Sequence, residues 1–246
     1  LQGTDHAVAF ANGTVALSAM YLASGIGPGD EVIVPSLTFI STATSVLHTG
    51  ATPVFADIRP DTLNVDPDDV LRRITPRTRA IVPVHYGGQA AELDRLRQIA
   101  HDTGVVLLED AAQAHGATFR GRPLGSWGRA RMFSFTPTQN IPPGAGPWVP
   151  TPRAAARPPP PRPPRPPGTP RQYHHELVGW NWRLSEMQAA IGCVQVTRLA
   201  SILATKRANA EVMRDLLDGI DGVTPPANPP ECEHPYMLYT VQLDPA

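Results

Sequence analysis

Residues 105–113 read VVLLEDAAQ. The apolar run 105–108 is too short for a helix and shows no alternation, so it reads as a strand buried on both faces. A carboxylate pair closes it. Burying Asp110 there without a partner would cost several kcal/mol. A protonated pyridine nitrogen is one such partner. A facing carboxylate keeps that nitrogen charged, and the charged ring draws electrons from a carbanion. An acid capping the following helix needs no ligand, and the motif alone leaves both readings open.

Around this stretch, short apolar runs alternate with helical patterns. Strands are expected over 6–11, 31–35, 52–57, 80–84 and 131–135. Helices are expected over 14–24, 39–48, 68–74 with Asp66 as N-cap, and 92–103 closed by Gly104. Further on, 184–204 and 206–217 read as two helices, and 237–243 as the start of a strand. Such alternation implies an α/β fold with a mainly parallel central sheet between helices. Ligands of such sheets bind beyond the carboxyl ends of the strands.

The residues at those ends are the candidates. Asn12-Gly13-Thr14 opens a helix, whose free N–H groups and partial positive charge suit a phosphate; an ordinary turn is the alternative. Phe39 follows the second strand and has the flat face needed to stack on a heterocycle, although a core position is equally in keeping. His85, before Gly87 and Gly88, is placed to meet a substrate or to serve structure. Ser134, after the strand 131–135 begins, offers a hydroxyl to a phosphate, and a lysine five residues later would complete the chemistry.

The 246 residues are 41% hydrophobic with a formal charge of −1, enough for one large α/β domain or for one domain and part of a second. The near-neutral charge gives no electrostatic reason to expect nucleic acid or an anionic membrane as a partner. No apolar run approaches the roughly 20 residues that span a bilayer. Cys193 and Cys232 are too few and too far apart for a disulfide framework or a zinc site, so no metal is expected and a reducing cytoplasm is the default. The start, LQGTDHAVAF, has neither an initiator Met nor the pattern of a signal peptide, and suggests a fragment. Nearly half of the 29 prolines crowd into residues 142–171.

Taken together, NGTVAL, PSLTFISTA, GATPVFADI, PRTRAIVPVHYGG, LLEDAAQAHGA, FSFTPTQN and GWNWRLSEMQAAIG resemble the DegT/DnrJ/EryC1/StrS family. These are fold-type I, pyridoxal-phosphate-dependent aminotransferases acting mostly on keto sugars linked to nucleotides. The resemblance spans nearly the whole chain except 142–172. It implies a cofactor-binding large domain over 1–204, shortened at its N-terminus, and the start of a small C-terminal domain over 205–246. It implies that Gly13, Thr14 and Ser134 bind the cofactor phosphate and that Phe39 stacks on the ring. It also implies that Asp110 pairs with the ring nitrogen, that Gln113 lies near the phenolic oxygen, and that His85 lies on the substrate side. Asn181 matches the residue that reaches the cofactor phosphate of a neighbouring subunit, so a homodimer with shared active sites is implied. The expected substrates are a keto sugar nucleotide or keto-cyclitol, with glutamate or glutamine as amino donor.

Two departures stand out. Gln139 occupies the place of the family's Schiff-base lysine. An amide is neither a nucleophile nor a useful base at neutral pH, so impaired transamination is expected. Two other readings are the alternatives, although glutamine suits the dehydratase role no better than the lysine's: a dehydratase-like enzyme holding pyridoxamine phosphate non-covalently, and a non-catalytic member of the fold. Residues 142–172 are almost wholly Pro, Arg, Ala and Gly, the vocabulary of a GC-rich gene read out of frame, and a natural Pro-rich insertion is the alternative. This segment is expected to be irregular.

Overall fold

A computed structural model describes residues 7–135, the backbone of 148–150, and 179–244. In chain order the elements are β1 (Ala7–Ala9), α1 (Gly13–Ala23), β2 (Glu31–Pro35), α2 (Ser41–Leu47), β3 (Thr52–Ala56) and α3 (Pro67–Arg73). They continue with β4 (Thr78–Ile81), α4 (Leu93–Thr103), β5 (Val106–Asp110), β6 (Thr118–Phe119), β7 (Arg122–Pro123), β8 (Ala130–Met132) and β9 (Trp148–Pro150). The long helix α5 (Glu186–Leu217) follows, then β10 (Val223–Thr224), β11 (Cys232–Glu233) and β12 (Gln242–Leu243).

The central sheet has the order β3-β2-β4-β5-β8, and every pairing in it is parallel. The centres of its inner strands are apolar because both faces are covered there, while edge strand β3 is partly exposed. Side chains alternate along each strand. Val32, Val34, Ala80 and Leu108 pack with α1 and α2 on one face, while Ile33, Ile81 and Leu107 pack with α3 and α4 on the other. The helix ends follow local chemistry. Asp66 caps α3 by accepting from the Asp68 amide at 3.0 Å, and Gly104 ends α4 in the left-handed region at φ 70°.

Three expectations change. The two helices read at 184–204 and 206–217 are one helix of 32 residues, α5: no Gly or Pro interrupts the pattern at 205, and Thr205, a residue type that can cap a helix, instead turns its hydroxyl back to donate to Ser201 O at 3.1 Å. It opens on a reciprocal cap between Ser185 and Gln188 and runs through the domain boundary placed at 204/205. Its most apolar window has a mean hydropathy of 1.3, enough by length and composition to span a bilayer. Only 17% of that window is buried; within it Leu199 and Leu203 pack in the cluster of Ala114, Ala117 and Phe133.

The second change concerns β1. It pairs antiparallel with β9, and its residues are exposed. The third is the segment 142–172, of which only 148–150 are described. These form a strand rather than irregular chain: Trp148 and Val149 are good strand formers, and Pro150 stands at the strand end, where a missing N–H is tolerated. Gln139 lies outside the described residues.

Candidate active site

Strand alternation sends the two adjacent carboxylates of β5 to opposite sides. Glu109 is fully buried. Its Oε1 accepts from the amides of Trp127 and Gly128, both at 2.6 Å, and its Oε2 from Gly125 N at 2.9 Å. His85 supplies the fourth bond. The Ala91 amide donates to His85 Nδ1 at 3.3 Å, which leaves Nε2 to donate to Glu109 at 3.1 Å. Burial alone would raise the Glu109 pKa, but His85 and the Gly128 and Gly125 amides outweigh it and hold it below the usual range. His85, expected on the substrate side, is itself fully buried and is not among the residues lining the cavity described next. The reason is this carboxylate, which takes its ring nitrogen on the far side of β5.

Asp110 faces α1 and α2. It is 3% exposed. Its Oδ1 accepts from Ala112 N at 3.1 Å and its Oδ2 from the Thr42 hydroxyl at 2.9 Å. Burial raises its pKa, and the two donors oppose that shift without cancelling it. Among the described residues no cationic group lies within salt-bridge distance of it. Glu109 is thus satisfied by protein groups alone, whereas Asp110 is a buried acid that still lacks a positive charge.

Asp110 lines a cavity of about 320 Å³ together with Asn12, Gly13, Thr14, Phe39, Ser41, Thr42, Gln113, Ser134 and Met237. Asn12 caps α1 by accepting from Val15 N at 3.1 Å, so the first turn of that helix points its free amides at the cavity's edge. Gly13 lies close against Ser134: a Cβ at position 13 would lie 3.1 Å from Ser134 Oγ, so a side chain there would crowd the hydroxyl. The Thr14 and Ser41 hydroxyls share a 2.6 Å hydrogen bond, and Ser45 Oγ donates to Thr14 O at 2.9 Å, which ties α1 to α2. Phe39 stands two residues ahead of α2 at 70% exposure. Gln113 accepts from Gly87 N through Oε1 at 2.6 Å, which leaves its NH₂ group to donate.

The wall opposite is built by the chain after α5. Gly87 O accepts from Met237 N at 3.0 Å, and Pro235 packs so closely on Gly88 that a Cβ there would sit 2.3 Å from Pro235 Cγ. Gly88 also has φ +101°, a region that side chains avoid. These contacts seat Met237 in the cavity. Asn181 stands apart. It is exposed, bonds Arg183 Nε at 3.0 Å, and does not line the cavity.

The donor set fits a phosphorylated pyridine. One end has helix amides and hydroxyls at Gly13, Thr14 and Ser134, with Gly13 tight against Ser134. The other has a buried carboxylate short of a cation. A flat aromatic stands at the mouth, and the volume is that of a small-molecule site. Sequence reasoning singled out most of these residues but missed Glu109, Ser41, Thr42 and Met237. Only Glu109 had a visible signal: in a strand it cannot share a face with Asp110.

A sequence profile described as the DegT/DnrJ/EryC1/StrS aminotransferase family matches residues 1–246. The GDP-perosamine synthase of Caulobacter vibrioides is 41% identical over 98% of this chain and 66% of its own length. The dTDP-3-amino-3,4,6-trideoxy-alpha-D-glucose transaminase of Streptomyces venezuelae is 42% identical over 98% of this chain and 64% of its own. Among solved structures, S. venezuelae DesV in complex with a ketimine intermediate superposes with a TM-score of 0.87 at 40% identity, covering 98% of this chain and 65% of that one. The chain therefore spans a little under two thirds of the length of these relatives.

Proposed function

Because the chain belongs to the DegT/DnrJ/EryC1/StrS aminotransferase family, we propose that it is the cofactor-binding part of an aminotransferase. The substrate is a keto sugar nucleotide or keto-cyclitol, with glutamate or glutamine as donor. The cofactor is pyridoxal 5′-phosphate, or pyridoxamine 5′-phosphate held without a covalent bond. The supporting observation is that Asp110, a buried carboxylate without a cation, faces the same cavity as Gly13, Thr14 and Ser134. The relatives' names support the substrate class.

When bound, the cofactor supplies an electron sink for a substrate carbanion. The chain's own residues do the rest. The first amides of α1 and the hydroxyls of Thr14 and Ser134 hold the phosphate. Asp110 keeps a proton on the ring nitrogen. Gln113 presents its NH₂ to the phenolic oxygen, and Phe39 covers one ring face and keeps water from it. Exposed Asn181 reaches the site of a second subunit, so the active form is a homodimer in the cytoplasm. Residues 1–204 form the large domain, and 205–246 begin a small one that α5 joins to it. Gln139 leaves the site without an amine to shuttle the proton, which favours the dehydratase-like or non-catalytic readings as the alternative for this chain.

Asp110→Asn tests the reading through two opposite effects. The folded-state pKa of Asp110 is raised, so its contribution to stability is full below the unfolded pKa and is lost as pH rises through the folded pKa. Asparagine mimics the protonated acid and should raise the melting temperature of cofactor-free protein at neutral pH. Titration should show affinity for pyridoxamine phosphate falling about 10- to 100-fold, the worth of a hydrogen bond to a charged group. Unchanged affinity would remove the assignment.

A further inference from the structure

Asp110 is held from two directions, and only one of them is a side chain. The Ala112 amide binds Oδ1 from its own strand end, while Thr42, 1% exposed on α2, reaches across to Oδ2 at 2.9 Å. A hydroxyl carries one hydrogen. Since Thr42 donates its hydrogen to Asp110, the 2.9 Å contact between the Thr38 and Thr42 hydroxyls has Thr38 as donor. The relay therefore runs one way, from Thr38 to Thr42 to the carboxylate. Thr42 is fixed independently of its hydroxyl, because the Tyr21 hydroxyl donates to its backbone oxygen at 3.1 Å. Neither threonine hydroxyl is needed to satisfy a buried backbone group, so the relay serves the carboxylate.

We propose that Thr42 is a positioning residue whose hydroxyl, oriented by Thr38, fixes Asp110 as an ionised acceptor aimed at the ring nitrogen of the cofactor. This rests on the cofactor reading above. An ionised carboxylate in that place leaves the shared proton on the ring. Without the donor from Thr42 the carboxylate becomes more basic, and the proton moves from the ring nitrogen to Asp110. The ring is then neutral and a poorer electron sink.

The probe is pyridoxamine phosphate labelled with ¹⁵N in the ring, titrated into the purified protein and followed by fluorescence for affinity and by ¹⁵N shift against pH for ring protonation. Thr42→Val keeps the shape and removes the hydroxyl. Its dissociation constant should rise about tenfold, and its ring nitrogen should lose its proton at lower pH than in the parent. Thr42→Ser should restore both values, which a merely structural role for the side chain would not predict. Thr38→Val should move the ring titration in the same direction by less, and it carries the test if Thr42→Val does not fold. A parent-like affinity and ring titration in Thr42→Val, or an unmoved titration in Thr38→Val where that variant stands in, overturns the inference. Failure of the parent itself to bind the probe instead overturns the cofactor reading.

Discussion

Gln139→Lys should raise transamination by roughly 10²–10⁴-fold, the usual worth of a positioned proton-transfer group. It should also give the purified protein, with pyridoxal phosphate, a visible absorbance that borohydride fixes to the chain. The parent should show neither. The chain's single lysine, Lys206, lies on α5, its pKa lowered by burial, and it is not among the residues that line the cavity. Among the described residues no lysine amine lines the cavity. Affinity for pyridoxamine phosphate should change far less than activity, because Asp110, Thr14 and Ser134 are untouched. Two results would count against this account. One is borohydride fixation in the parent. The other is a lysine variant that binds covalently but turns over no faster.

Glu109→Ala should be the most damaging change to stability, at about 3–5 kcal/mol near neutral pH. The substitution strips a hydrogen-bond acceptor from His85 and from the amides of Gly125, Trp127 and Gly128, all around a fully buried position. Urea unfolding measures the loss. The pH dependence identifies its source. The Glu109 pKa is lowered on folding, so its contribution is full above the unfolded value, about 4.3, and is lost as pH falls through the folded value. The gap between parent and variant should thus narrow in acid. A gap that stays constant down to low pH would assign the effect to lost packing instead. With Asp110→Asn stabilising and Glu109→Ala destabilising, neighbours of like charge would give opposite signs.

That contrast also marks how far the residues alone could be read. The parallel sheet was legible because short apolar runs alternate with helical patterns, and α4 because Leu93, Leu96, Ile99 and Ala100 share one side and Gly104 ends it. Phe39, Asp110 and Ser134 were legible because a parallel sheet brings its strand ends to one edge, Gly13 and Thr14 because they open a helix, and Gln113 through the family resemblance; all six line one cavity. The pairing of His85 with Glu109 was not legible. It joins residues 24 apart through the back of a strand, and no local pattern signals it. Thr42 was hidden inside a run of small polar residues that reads only as helix. Met237 was hidden because its place depends on Pro235 meeting a bare Gly88 far away in sequence. The continuity of α5 was missed because Thr205 is a residue type that caps helices, and only the structure shows its hydroxyl turned back to Ser201 O.

The grip on α5 has a mechanical consequence. A helix of 32 residues is about 48 Å long. It is clasped near its midpoint, where Leu203 fills the space beside Gly116 so tightly that a Cβ there would lie 2.2 Å from Leu203 Cδ1, and where Arg207 donates to Gly116 O at 3.3 Å. Farther along the rod Arg214 donates to the Tyr236 hydroxyl at 3.1 Å, next to Met237 of the cavity's far wall. One helix thus braces both sides of the cavity, the Asp110 side through Gly116, six residues along the chain from it, and the Met237 side through Tyr236.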